Sequence, residues 1–201
     1  LGAQLIDLSF TEALSNSNGL IEASDRLLLQ ADWLDNENGQ LRALGESGES
    51  RIQLSSHFAN SRGLVEIGNA RFNLSSASLS NHDGSLLHLG SEGFTLNVAD
   101  LNYAGGSLIS NSDLNLSATS WANSSRVQAR NLTVSVAQFR QESAGQLIGT
   151  HGFSGSGTDW YSDGLLASDG DFSLNLSGDY SGYGSITSLG DMQLSAGSMR
   201  I

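Results

Sequence analysis

The sequence repeats itself about every 20 residues, and a fixed short period narrows the possible folds more than any other feature of the chain. Leu14-Ser-Asn16-Ser-Asn-Gly19-Leu-Ile21-Glu-Ala23, followed by Leu27-Leu-Leu29-Gln-Ala31, recurs as Leu34-Asp-Asn36-Glu-Asn-Gly39-Gln-Leu41-Arg-Ala43 and then Ile52-Gln-Leu54. Further copies open at Phe58, Leu79, Leu101 and Trp121, and weaker ones at Phe139, Trp160 and Tyr180. No single copy has enough apolar residues to bury a face of its own, so stability has to come from stacking copies on one another.

Within each copy, apolar residues alternate with small or polar ones, as in Leu114-Asn-Leu116-Ser-Ala118 and Phe172-Ser-Leu174-Asn-Leu176. A period of two means a strand with one face buried, and helical spacing is sustained nowhere. Gly, Asn, Ser and Asp separate the strands; these residues tolerate left-handed backbone or hydrogen-bond their own turn. Coils of nearly equal length bring each strand over its equivalent, which predicts parallel pairing at roughly 4.8 Å per coil. The fold class is therefore all-β, a parallel β-helix of about nine to ten coils, on the order of 45 Å long. The 201 residues contain no proline, as suits strands that must all donate N–H groups to a neighbour.

The interior should then be built from columns of like residues. One column reads Leu14, Leu34, Phe58, Leu79, Leu101, Trp121, Phe139, Trp160, Tyr180; a second reads Leu29, Leu54, Leu74, Leu96, Leu116, Val134, Leu174, Leu194. Asn16, Asn36, Asn60, Asn81 and Asn123 stand two residues past the first column, where stacked amides can hydrogen-bond along the axis.

Composition excludes several functions. Net charge is -12, and the nine basic residues are all Arg, so the clustered positive surface of a nucleic-acid binder is missing. Without cysteine there are no disulfides and no thiolate metal sites. No apolar run is long enough to span a bilayer, and no membrane insertion by this segment is expected. The chain opens in mid-pattern at Ile6-Asp-Leu8, which reads as a single domain, 1–201, cut from a longer array with its caps and export signal elsewhere.

The pattern Leu-x-Asn-x-x-Gly-x-Ile/Leu-x-Ala, then apolar-x-Leu-x-Ala, resembles the haemagglutinin repeat of filamentous haemagglutinin adhesins and of contact-dependent growth-inhibition effectors. Copies opening at Leu14, Leu34, Phe58, Leu79 and Leu101 carry it best, which divides regular repeats over 1–138 from irregular ones over 139–201. The resemblance implies a right-handed β-helix, two-partner secretion through an outer-membrane transporter, and a secreted or cell-surface location. Its implied partner is an outer-membrane protein or glycan receptor on a target cell. It brings no catalytic residues and no cofactor. The stretch from Gly145 to Trp160 lacks the apolar-x-Leu strand and is rich in glycine, so a distorted coil or a projecting loop is expected there.

Candidate chemistry is sparse. The runner-up function is a carbohydrate-processing β-helix enzyme, for which Asp169, Asp171 and Asp191 are the available carboxylates. Asp113, Asp171 and Asp191 share one repeat position, however, and read as turn residues. His57, His82, His88 and His151 offer no metal-ligand spacing, and no metal is expected. Of the five Asn-x-Ser/Thr sequons, at Asn73, Asn115, Asn123, Asn131 and Asn175, most follow from the strand pattern. The candidate receptor-binding residues are His151, Phe153, Tyr161 and Tyr183, aromatics and a histidine that depart from the inward columns. Arg26, Arg51 and Arg71 form the alternative, a vertical row suited to an anionic ligand.

Overall fold

The structure is a computed structural model that describes residues 1–103 and 105–201, with Tyr103 described by its backbone. Among the described residues there are nineteen strands and no helix, and the strands pair in parallel with their equivalents one coil before and one coil after. The parallel solenoid expected from the period is thus the fold observed.

Each coil passes through three strand segments. The first face collects short strands such as Gln40–Ala43, Leu64–Ile67, Ser85–His88 and Leu165–Ser168. Longer strands such as Arg71–Ser80 and Leu114–Asn123 carry the second face, bend, and continue into the third. In Leu20–Asp35, Arg126–Gln141 and Gln146–Ser162 one strand serves all three faces. Alternate residues point inward, so each face contributes columns of buried side chains, Ile21, Leu41, Val65, Leu86 and Leu108 on the first. Burying one such side chain contributes about 1.5 to 3 kcal/mol.

On the third face the register joins Leu14, Leu34, Phe58, Leu79, Leu101, Trp121, Phe139, Trp160 and Tyr180 in one unbroken column. The rings of Trp121, Phe139 and Trp160 follow one another at 4.9 and 4.8 Å.

The second face corrects the sequence reading in one place. Leu29 pairs with Ile52, which pairs with Leu74, and Leu54 stands opposite Ala31 instead. The coil between Asn36 and Asn60 is 24 residues long, and its extra residues fall at the corner between the first two faces. A slip of two keeps a side chain on its own side of the strand, so Leu54 remains buried in the neighbouring column. Gly155 fills the gap left between Val134 and Leu174.

That glycine explains the anomalous stretch. No loop projects: Gln146–Ser162 is continuous strand, paired along its length with Arg126–Gln141 apart from one shift near Ala129. A Cβ on Gly155 would lie 2.7 Å from Leu174 Cδ1 and 2.8 Å from Trp160 Cη2, and one on Gly157 would overlap the Val136 carbonyl. The indole of Trp160 occupies the core volume that larger residues at 155 and 157 would have filled, and its Nε1 donates to Val136 O at 2.9 Å.

At the turn between the third and first faces, Asn16, Asn36 and Asn60 each donate from Nδ2 to Oδ1 of the next asparagine at 2.7, 2.7 and 2.6 Å, ending on Asn81. The column resumes at Asn123, which donates to Gln141 at 3.1 Å, and Gln141 to Ser162 at 3.2 Å. Two residues after Asn16, Asn36, Asn60 and Asn81 the backbone is left-handed, at Asn18, Asn38, Arg62 and Asp83. Gly39, Gly63 and Gly84 follow because a Cβ there would strike the backbone carbonyl of the asparagine one coil earlier.

Candidate receptor-binding surface

Outward positions of the third face flank each rung of its aromatic column. On one side stand Asp100, Ser120, Gln138, Asp159 and Asp179; on the other, Asn102, Ala122, Arg140, Tyr161 and Ser181. Ser120, Ala122 and Ser181 are too small to cover the sheet, whereas Gln138, Arg140, Asp159 and Tyr161 rise from it. The result is a groove of about 700 Å³ along the axis, from the coil of Asp100 to that of Asp179.

Its polar groups are tied to one another. The Arg140 guanidinium lies 4.8 Å from the centre of the Tyr161 ring and donates through Nε to Glu142 at 2.8 Å. The Tyr161 hydroxyl donates to Asp163 Oδ2 at 2.7 Å, while Asp163 Oδ1 accepts the backbone N–H of Tyr183 at 3.0 Å. Bonding to the Asp163 carboxylate raises the pKa of Tyr161 above its ordinary value, and the same hydroxyl holds Asp163 below the usual carboxylate range. Asp159 is held low as well, by the backbone N–H of Asp179 at 2.8 Å and by Gln138 at 3.3 Å.

The residues singled out from sequence are dispersed by the fold. Tyr161 is half-buried against the groove, and Tyr183, 88% exposed, stands beside it above Asp163. His151 is exposed at a different corner, between the first and second faces. Phe153 leaves the set: it is 3% exposed and stacks on Phe172 at 4.6 Å with rings 7° apart, inside the second-face column that also holds Phe94 and Leu114. The alternation that identifies an inward residue is masked around Phe153 by glycines on both sides.

The arginine row also dissolves. Arg51 pairs with Leu28 and Asn73, and Arg71 with Glu49 and Gly93, so they stand in different columns. Glu49 sits among them, 2.7 Å from Arg51 and 4.0 Å from Arg71, and its carboxyl is held low chiefly by the Arg51 hydrogen bond. Arg71 pairs also with Glu92, and Arg26 approaches Asp25 at 3.6 Å. Each of these arginines thus already has a carboxylate beside it.

Asp171 and Asp191 do occupy consecutive rungs of one column, and Asp171 Oδ1 accepts the N–H of Asp191 at 3.0 Å, which is a turn role. Asp113 Oδ1 accepts instead from the side-chain amide of Asn131, at 2.7 Å. Among the described residues no group of three His, Cys, Asp or Glu could hold a metal ion. His88 is fully buried, its Nε2 3.0 Å from Asn69 O and its Nδ1 3.0 Å from Ser110 Oγ, an arrangement that serves the core. Asn123 is buried in the amide column, unlike the other sequons.

Sequence reading missed Asp100, Gln138, Arg140, Asp159 and Asp179. The usable signal was positional: each lies one residue before or after a member of the aromatic column, which period two sends outward.

No curated protein and no solved structure matches the chain. A family model does: that of the haemagglutinin repeat matches four times, over residues 2–56, 47–125, 120–158 and 161–200. These matches follow the stacked coils nearly from end to end, and with the observed solenoid they establish that the chain belongs to the haemagglutinin repeat family.

Proposed function

We propose that this chain is a non-enzymatic stalk segment of an exported exoprotein, and that its third face meets a receptor on a target cell. Proteins of the family are secreted or surface-exposed, and no helix here is long and apolar enough to cross a membrane. The finer reading is a two-partner-secreted adhesin or a contact-dependent growth-inhibition effector whose toxin lies elsewhere, exported through an outer-membrane transporter.

The observation that carries the contact reading is the third-face groove. It is set on paired strands that cannot shift singly, with Tyr161 tethered at its hydroxyl and covered on one face by Arg140. Ordering a side chain before contact removes part of the entropy cost of binding. Catalysis by glycosidase chemistry needs a carboxylic acid held protonated, its pKa raised. The shifted carboxyls around this groove, Asp159 and Asp163, are shifted downward, the wrong direction for that acid.

The test is attachment of the labelled chain to intact cells and outer membranes. Changing Tyr161 and Tyr183 together to Ser is expected to abolish attachment with the β-rich circular dichroism spectrum unchanged. Attachment that survives this change but is lost when Arg26, Arg51 and Arg71 are neutralised would move the contact to the second face.

A further inference from the structure

We propose that the third-face groove binds an uncharged linear oligosaccharide laid along the axis, about one sugar unit per coil. The inference rests on the third face being a contact surface and assigns the chemistry of its ligand.

Three observations converge on that ligand. The first is pitch. Equivalent outward positions recur at roughly 4.8 Å from coil to coil, close to the length of one pyranose unit in an extended chain, so successive sugars meet successive rungs in the same way. A peptide strand has no comparable anchorage, because both neighbours of each inner rung are already paired and no free edge is offered for strand addition.

The second is the complement of groups. Asp100, Ser120, Gln138, Asp159 and Asp179 present carboxylate, hydroxyl and amide oxygens along one wall of the groove. Sugar hydroxyls donate well to such acceptors, and a carboxylate keeps lone pairs free after the bonds it makes within the wall. On the opposite wall the half-exposed Tyr161 ring has Ser181 as its register partner in the next coil, a residue too small to hide it. An aromatic face beside hydroxyl acceptors suits the C–H face and the rim of a sugar at once.

The third is charge. Asp100, Asp159 and Asp179 face a single arginine, Arg140, which is already paired with Glu142. Sulfated, phosphorylated or uronate-bearing glycans would meet repulsion, which selects the uncharged class.

The experiment titrates the 201-residue chain calorimetrically with maltose-, cellobiose-, chitobiose- and galactobiose-series oligomers of two to eight units, and with a heparin hexasaccharide. At least one neutral series is expected to bind, tightening with length up to about four to five units and levelling off beyond, as the groove fills. Heparin is expected not to bind. Ala122→Trp projects a ring from an exposed position into the groove and should weaken binding at least about tenfold. Asn115→Trp, on the second face, should leave it within about twofold. Circular dichroism of both variants reports folding. The proposal is overturned if no neutral series binds, if heparin binds more tightly, or if Ala122→Trp folds and binds as before. Cell attachment measured on the same variants separates the two readings. Attachment lost in Ala122→Trp without any sugar binding means a protein receptor, sinking the sugar assignment alone; sugar binding without cell attachment sinks the adhesive reading alone.

Discussion

His88 stands in a column whose neighbouring rungs carry Ile67 and Ser110, and the core accepts an imidazole there because both ring nitrogens have partners. Burial depresses its pKa below the ordinary 6.5, and burial lowers that of His57 as well. Above pH 6.5 the ring is neutral folded or unfolded and the contribution to stability is complete. As pH falls below 6.5, the unfolded chain takes up a proton that the folded chain refuses, so stability declines by up to about 1.4 kcal/mol per pH unit for each such histidine. Urea unfolding at pH 7.5 and 5.5 should show the decline, and His88→Ile, matching the residue one coil earlier, should reduce it. An unchanged slope in that variant would mean His88 takes up its proton equally well when folded.

Among the elements, the asparagine turn and its amide column behave as one unit. Asn60 accepts from Asn36 and donates to Asn81, so Asn60→Ala breaks two links of the column: Asn81 Oδ1 loses its donor in the core, at about 1 to 3 kcal/mol, while Asn36 Nδ2 falls back on the Gly39 and Leu64 carbonyls at 3.3 Å. Asn16→Ala removes only one such bond, at the end of the column, and should cost less. Equal losses in thermal or urea unfolding would contradict a linear column. Four of these turns were legible in the sequence because they need the same residues: Asn16, Asn36, Asn60 and Asn81 for the amide, and a glycine three residues on for the close approach. Leu54 was misassigned by two residues because the long coil keeps the in-and-out pattern while changing the count. Phe153 was misread because Gly155 and Gly157 give up their volume to Trp160, a compensation between positions that alternation alone cannot reveal. Of the groove, only Tyr161 was singled out in the sequence: period two marks which residues face outward, but the solvent side of a solenoid imposes no repeat on their identity.

For the whole molecule, hydrogen bonding along one axis leaves two kinds of surface. Flanks are covered by side chains, but the terminal coils each pair on one side only, and they carry exposed apolar residues, among them Leu1, Leu5, Met199 and Ile201. The isolated chain should therefore associate end to end, its mean mass in sedimentation rising with concentration. Because net charge is -12, added salt should strengthen the association by screening repulsion. A mass that stays monomeric across concentration and salt would show that the terminal strands do not template pairing.

The parallel register has a mechanical meaning too. Interstrand bonds lie along the axis, so a pull applied between the two ends loads the coils one after another, not all together. The outermost coil peels first, releasing about 20 residues and on the order of 65 Å of slack, while the rest stays folded. A filament of such coils lengthens under load in many small yields, keeping its far end attached through a jolt that would snap a stiff rod.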